Sequence, residues 1–391
     1  MQKPSPSDSV LALLGREPDV EAPDLVAVDA TDRLLLDQAA PLIAVHPEAV
    51  AVVDDSYGAL TLGAVALHGA VDVRVSQDLL VAERALARNA ERTGLAGSYR
   101  SYALEPELAD SARVVLVKAP KGLEALREIA EVVAAAADPG VTLLVGGRVK
   151  HMTHAMNDVL RDSFTDVSAT LARQKSRILV ARGPKPAAPS FPRCRTHGDL
   201  TVCAHGAAFA GAKIDPGTRA LLAHLGAMAP DAERALDLGC GTGVLAAELA
   251  RARPRLAVLA TDQSAAAVAS ATATITANGL AGRVEVRRDD AAQTVPDASV
   301  DLVVCNPPFH LGTAVVTVAA DRLFAAAGRV LRPGGELWCV YNSSLPHRPA
   351  LRRVIGPTRT VGRGSRFVVT VSLRSGPRSE SPVQKRSKPS Q

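Results

Sequence analysis

The sequence predicts an α/β protein in which one doubly wound, mostly parallel-sheet domain is used twice. Three observations carry that prediction. Short apolar runs alternate with helical-pattern segments in both halves, as in a parallel sheet assembled from βαβ units. Stretches of the first half recur in order in the second. A proline-rich break, GPKPAAPSFP (Gly183–Pro192), separates two parts of ordinary domain size within the 391 residues.

Composition bounds the possibilities. Hydrophobic residues make up 47% of the chain, enough for full cores, while aromatics are only 3%, so those cores must be aliphatic. The opening MQKPSPSDSV lacks the charged-then-apolar pattern of a leader, and no apolar run is long enough to span a bilayer. Cys194, Cys203, Cys240, Cys305 and Cys339 form no CxxC pair and no regular framework. A soluble, cytoplasmic protein in a reducing compartment is expected, with no disulfide scaffold. The net charge of +5 is a mild positive bias compatible with a polyanionic partner.

Taken in order, residues 1–25 are polar with scattered proline and are expected to be loose. The first domain spans 26–182, and 183–192 is the linker, where four prolines in ten residues exclude helix. The second domain spans 193–375. The tail, 376–391, is Ser-, Pro- and Lys/Arg-rich and is expected to be disordered. Between the domains, VAVVDDSYGAL (Val50–Leu60) echoes ALDLGCGTGVL (Ala235–Leu245), and VRVSQDLLV (Val73–Val81) echoes LATDQSAAAV (Leu259–Val268). ALARNAERTGLAG (Ala85–Gly97) echoes ATATITANGLAG (Ala271–Gly282). The copies diverge where chemistry belongs. The second has Gly239, Gly241 and Gly243 in its first turn and Asp262 after its second strand; the first has Gly58 alone and Ser76. Only the second is expected to bind a nucleotide.

In the second copy, the glycine turn lies between a strand (Arg234–Leu238) and a helix (Val244–Arg251), at the carboxyl edge of the sheet where ligands bind. Glycines there let the backbone approach a ligand. Taken alone, such a turn suits a pyrophosphate equally well. Asp237, two residues before Gly239, opposes a cationic amino group better than a phosphate. Asp262, closing the next strand (Leu256–Ala260), is placed to accept ribose hydroxyls. Asp290, in the pair closing the strand Arg283–Arg287, is placed to accept from an adenine amino group; turn chemistry alone also accounts for that pair. Together these features resemble motifs I and II of class I methyltransferases, which implies S-adenosylmethionine as cofactor.

DLVVCNPPFH (Asp301–His310) runs an apolar strand into Asn306-Pro307-Pro308-Phe309. Proline fixes φ and lacks an N–H, so the corner is rigid and extended. The Asn306 side-chain oxygen and the Pro307 carbonyl then become two acceptors in fixed directions. An aromatic amino group is a poor nucleophile because its lone pair is delocalised. Two acceptors on its hydrogens localise that pair and aim it at a methyl donor. Phe309 offers a face on which an extruded base can stack. A dehydrogenase needs no such element. His151 and His154, at i and i+3, lack further ligands nearby, and no metal is expected.

The chain resembles the bacterial ribosomal RNA guanine-N2 methyltransferases that pair a degenerate N-terminal domain with an active C-terminal one. AAFAGAKIDPGTRALL (Ala207–Leu222), ALDLGCGTGVLA, TDQSAAAV, NPPFHLGT and RFVVTVS (Arg366–Ser372) carry the likeness in the second half. VKAPKGLEALREI (Val117–Ile129), LLVGGRVKHMTHAMNDVL (Leu143–Leu160) and ATLARQKSRIL (Ala169–Leu179) carry it in the first and resemble the large-subunit branch over the small-subunit branch. The resemblance implies two tandem Rossmann-like class I methyltransferase domains, the N-terminal one degenerate and serving as an RNA platform. It implies methyl transfer to N2 of a guanine in 23S rRNA, naked or in a ribosomal particle, by a monomer needing neither metal nor membrane. It assigns the methionine moiety to Asp237, the ribose to Asp262, the adenine edge to Asp290 and the target amino group to Asn306. Lys150, Arg173, Lys175 and Arg177 suit phosphate contacts. In one departure, Asn342-Ser343-Ser344-Leu345-Pro346-His347 lacks the arginine and tyrosine that usually follow the fifth strand (Glu336–Val340). A 16S rRNA guanine-N2 methyltransferase, a protein-glutamine N5 methyltransferase and a non-enzymatic RNA-binding assembly factor are the rival readings.

Overall fold

A computed structural model describes residues 6–21, 25–307 and 313–376. The first domain runs α1 (Pro6–Leu13), α2 (Ala30–Val45), β1 (Val50–Val53), α3 (Ala59–His68), β2 (Val73–Ser76), α4 (Leu80–Thr93), β3 (Tyr99–Ser101), α5 (Pro106–Ala109), β4 (Val114–Lys118), α6 (Leu123–Ala136), β5 (Thr142–Arg148), α7 (His154–Ser163), β6 (Phe164–Ala169) and β7 (Ser176–Pro184). A hairpin, β8 (Arg193–His197) and β9 (Leu200–Ala204), leads into the second domain. There follow α8 (Pro216–Leu222), β10 (Arg234–Leu238), α9 (Val244–Ala252), β11 (Ala257–Asp262), α10 (Ala265–Ala277), β12 (Val284–Arg288), β13 (Val300–Cys305), α11 (Thr313–Val330), β14 (Leu331–Asn342), α12 (His347–Val354), β15 (Thr358–Arg363) and β16 (Phe367–Leu373).

The two large sheets have the same strand order, β3-β2-β1-β4-β5-β7-β6 and β12-β11-β10-β13-β14-β16-β15. In each, five parallel strands end in an antiparallel hairpin. The predicted duplication is therefore a duplication of the whole fold. Helices cover both faces of such a sheet, so its central strands must be apolar on both sides. In β10 and β13, Ala235, Leu302 and Val304 enter one core, while Leu236, Leu238 and Val303 enter the opposite one. The repeated TGLAG and NGLAG segments end α4 and α10 alike. Gly94 and Gly279 take positive φ, and the N–H of Leu95 and of Leu280 closes back on Ala90 and Ile275.

Several expectations need correction. Residues 1–25 are not simply loose: α1 packs on the first domain through Leu11, 4% exposed, and Gly15 donates to the Asn89 side chain. The break at 183–192 is shorter, because β7 continues to Pro184 in pairing with β6. Cys194 and Cys203, opposite each other on β8 and β9, form a disulfide. Strands β11 and β12 end at Asp262 and Arg288, each a residue or two beyond its predicted end. Among the described residues no helix is long and apolar enough to cross a membrane. The tail, 376–391, lies almost wholly outside the described residues.

Two sets of contacts among the described residues show how the domains are joined. The loop after β2 bridges to the loop after β11 through Leu79 and Ser264. On α6, the buried Glu128 accepts from the His205 ring at 2.6 Å and from the Gly206 N–H at 2.7 Å.

Candidate active site

The order of the second sheet reverses between β10 and β13, and the predicted cofactor and transfer residues that the structure describes lie at or just beyond the carboxyl ends of β10, β11, β12 and β13. Gly239 and Gly241 adopt φ of +76° and +53°, with nothing within 4 Å of the Cβ each lacks. They face open space, as a turn meant to approach a ligand must. Gly243 has a different task. A Cβ there would lie 3.0 Å from that of Ala271, so this glycine lets α9 close on α10.

Asp237 is fully buried, and its Oδ2 accepts from the Ala246 N–H at 3.0 Å. Its Oδ1 is buried without a partner. Burial first, with repulsion from Asp262 added and the Ala246 hydrogen bond opposing, pushes this carboxyl up to about 7. A buried acceptor left open beside a cavity is a place for a cation. Asp262 accepts from Gly241 N–H on Oδ2 and from Ser264 N–H on Oδ1, both at 3.0 Å. Burial raises its pKa and these bonds resist the rise. Each oxygen retains a lone pair for a hydroxyl. Asp290, 4% exposed, is held by Arg322 at 2.7 Å and by Arg84 of the first domain at 3.6 Å. Asp289 is spent on the turn itself, accepting from Gln293 and Thr294.

Asn306 is the most informative residue. Its Nδ2 donates to Asp215 at 3.1 Å and to the Thr218 hydroxyl at 3.0 Å. A carboxylate can only accept, so Asp215 dictates which way the amide faces. Oδ1 is thereby turned the other way, where it is buried and unpartnered. Asp215 itself is fixed as the N-cap of α8, receiving Gly217 and Thr218 N–H. Asn306, Asp215 and Thr218 share one cavity wall with Gly239, Gly241, Phe209 and Lys213. Pro307 is buried at the same corner. Phe309 and His310 lie outside the described residues.

The first domain has kept this frame and closed it. Lys118, at the end of β4, reaches Asp29 at 3.0 Å and Asp32 at 2.6 Å, and Asp29 caps α2 as Asp215 caps α8. An ion pair stands where the second domain leaves an open acceptor. In the first turn, Asp55 is satisfied by Leu60 and Thr61 N–H. The Tyr57 hydroxyl donates to Asp19 at 2.5 Å, with Arg16 stacked 4.5 Å from its ring. The N-terminal segment thus seals the degenerate turn.

Among the basic candidates, Lys150 and Lys175 are exposed next to each other, joined by Val149 N–H to Lys175 O at 2.9 Å. Arg173 pairs with Asp37. Arg177 lines a cleft of about 420 Å³ with His154 and Asn157, its Nε unpartnered. The β6–β7 hairpin that carries three of these four corresponds in sheet order to β15–β16. The tip of β15–β16 exposes Arg363 and Arg366, and no carboxylate pairs with either among the described residues. This tip, Phe367, Pro216 and His224 line a cleft of about 350 Å³. It adjoins the Asn306 site: a Cβ on Gly217 would lie 3.3 Å from Asn306 Oδ1 and 3.4 Å from the Phe367 ring. A wider cleft of about 500 Å³, lined by Arg234, Arg283 and Arg287, contains no unpartnered buried acceptor. No group of three or more potential metal ligands clusters among the described residues.

Asp215, Thr218, Phe209, Lys213, Arg322, Arg363 and Arg366 were not singled out from the sequence. Asp215-Pro216-Gly217 did carry a signal, an N-cap followed by N1 proline. It announces a helix start and says nothing of the amide it orients.

Comparison with known proteins places the chain in a family. Residues 199–371 match the methyltransferase small domain family, and residues 5–185 match the RLMG N-terminal domain. A ribosomal RNA large subunit methyltransferase G of Streptomyces coelicolor is 36% identical over 373 residues, covering 93% of this chain and 98% of the relative. One from Pseudomonas aeruginosa is 35% identical over 361 residues, covering 91% and 96%. Among solved structures, the T. thermophilus 16S rRNA N2 methyltransferase in complex with AdoMet and guanosine superposes with a TM-score of 0.71 over 88% of this chain and 92% of that one. At 23% identity, that likeness speaks to the fold.

Proposed function

The chain belongs to the ribosomal RNA large subunit methyltransferase G family, and we propose that its second domain methylates the exocyclic N2 of a guanine in 23S rRNA. The enzyme is an S-adenosylmethionine-dependent rRNA methyltransferase. The observation that carries the finer reading is the buried, unpartnered Oδ1 of Asn306, left free as an acceptor because Asp215 claims the amide nitrogen.

The site suits the cofactor. Asp237 Oδ1 is an open acceptor for the methionine ammonium, Asp262 keeps a lone pair on each oxygen for the ribose hydroxyls, and Asp290, paired with Arg322 and Arg84, serves the adenine edge. When bound, S-adenosylmethionine supplies an electrophilic methyl on sulfur. Asn306 Oδ1 and the Pro307 carbonyl each take one N–H of the guanine amino group, which restores its delocalised lone pair to nitrogen and fixes its direction. Because Asn306 is locked in one orientation before substrate arrives, little reorganisation remains at the moment of transfer. Once alkylated, the nitrogen is acidic and releases its surplus proton to water, so no strong base is required of the chain.

RNA as the target is supported by the unpaired Arg363 and Arg366 beside the Asn306 site and by the exposed Lys150 and Lys175 on the counterpart hairpin. The sealed first domain, unable to bind cofactor, serves as the second RNA surface. The protein works in the cytoplasm, where its substrate is.

The test is methyl transfer by the purified protein to unmodified 23S and 16S transcripts, with nucleoside analysis of the products. N2-methylguanosine in 23S RNA is expected, lost on Asn306→Ala. Product only in 16S RNA, or at another atom, would refute the proposal.

A further inference from the structure

We propose that Asp78 of the degenerate domain is a positioning residue for the cofactor's ribose site, so that each domain supplies part of the machinery. This rests on the reading that Asp262 receives the ribose hydroxyls.

The loop after β11 must hold Asp262 steady, and much of what holds it comes from across the domain boundary. Asp78 Oδ1 accepts from the Ser264 hydroxyl at 2.8 Å and from the Ala266 N–H at 2.9 Å. It therefore supplements Ser264, the N-cap of α10, at the helix that begins three residues after Asp262. Ser264 N–H in turn donates to Asp262 Oδ1 at 3.0 Å. Two hydrogen bonds thus separate Asp78 from the ribose acceptor. The backbones are tied as well: Ala265 N–H donates to Asp78 O at 2.8 Å, and Leu80 N–H to Gln263 O at 3.0 Å.

A second tie starts from the other strand. Arg288 stands in register beside Asp262 on β12. Its guanidinium reaches the carbonyls of Gln77 and Asp78, each at 3.0 Å, and the carboxylate of Glu83 at 2.8 Å. Asp78 is itself held by its own domain, donating its N–H to Asp54 Oδ1 at 3.1 Å. Asp54 belongs to the turn that corresponds to the glycine turn of the second domain. The strand pairing corrects the expected counterpart: in the degenerate copy Ser76 matches Thr261, and Gln77 stands where Asp262 does, its Oε1 accepting from Ser56 N–H as Asp262 accepts from Gly241 N–H. The former cofactor loop of that copy now braces the working one, and the two loops face each other as equivalent parts of a duplicated fold.

Ligand discrimination separates this role from mere domain docking. The full-length protein is titrated calorimetrically with S-adenosylhomocysteine and with its 2′-deoxy analogue. The wild type is expected to prefer the ribose form. Asp78→Ala should weaken the ribose ligand about tenfold, the scale of one or two hydrogen bonds at a buried site, and the deoxy ligand far less. Asp78→Asn keeps an oxygen acceptor and should restore most of the preference. Should Asp78→Ala not fold, Arg288→Gln opens the same clamp from the second domain and carries the same expectation. Equal weakening of both ligands, or an unchanged preference, would overturn the inference. Absence of any ribose preference in the wild type would overturn the assignment of Asp262 and this inference with it. Methylation of 23S RNA by the wild type, measured in parallel, tests the proposed reaction independently of either outcome.

Discussion

Replacing Asp215 with asparagine separates two tasks that one carboxylate performs. As the N-cap of α8, Asp215 receives Gly217 and Thr218 N–H; as an obligate acceptor, it forces Nδ2 of Asn306 toward itself. Asparagine caps a helix about as well as aspartate, so stability should change by less than ~0.5 kcal/mol. The second task is lost, because an asparagine at 215 can present either its oxygen or its nitrogen to Asn306. The hydrogen bond to a charged acceptor is worth roughly 1.5–3 kcal/mol, which bounds the preference of Asn306 for its productive orientation. At 1.4 kcal/mol per decade, kcat should fall ~10- to ~100-fold. The assay is transfer of labelled methyl to an rRNA fragment under saturating cofactor, with melting temperature and S-adenosylhomocysteine affinity measured alongside. Asp215→Ala should show the same kinetic defect plus ~1 kcal/mol of lost stability from the missing cap. A wild-type kcat for Asp215→Asn would refute the reasoning, as would a defect confined to melting temperature or cofactor binding.

Asn306→Ala should lower kcat ~10²- to ~10³-fold while leaving S-adenosylhomocysteine affinity within a few-fold, as calorimetry would show. The Asp237 carboxyl, raised to about 7 by burial, should make cofactor binding pH-dependent: between pH 8 and pH 6 the ionised fraction falls about tenfold, and S-adenosylhomocysteine should weaken to match unless Asp237 is replaced by asparagine. The same group favours folding of the free protein when protonated; that contribution is complete below its unfolded value of 3.8 and is lost as pH rises through about 7, as thermal melts without ligand should record. Arg363→Ala and Arg366→Ala should each raise KM for RNA and reduce the slope of log binding constant against log salt by ~0.7, with cofactor affinity unchanged.

Much of this site was readable in the sequence because its parts are local. A glycine turn between strand and helix, an acid at the next strand's end and NPP at the fourth position each announce themselves within ten residues, and the shared topology brings them to one edge. The duplication was readable because the C-capping segments TGLAG and NGLAG retained their chemistry. What escaped depends on distant partners. Asp215 meets Asn306 across 91 residues, and no periodicity encodes which way an amide turns. Asp78 acts across a domain boundary, and its identity as a cap for another domain's helix follows only from docking. The N-terminal segment looked loose because what holds it lies far away in sequence: Leu11 enters the first domain's core, Gly15 bonds Asn89 and Asp19 meets Tyr57. The Cys194–Cys203 pairing depends on the register of β8 against β9, which nine residues of spacing do not specify.

The central claim is tested most directly in cells that lack this gene, by digesting 23S and 16S rRNA separately and quantifying N2-methylguanosine by mass spectrometry. The account predicts that one N2-methylguanosine disappears from 23S rRNA, returns with the wild-type gene and does not return with Asn306→Ala. Loss from 16S rRNA alone, or restoration by the Asn306→Ala variant, would contradict it.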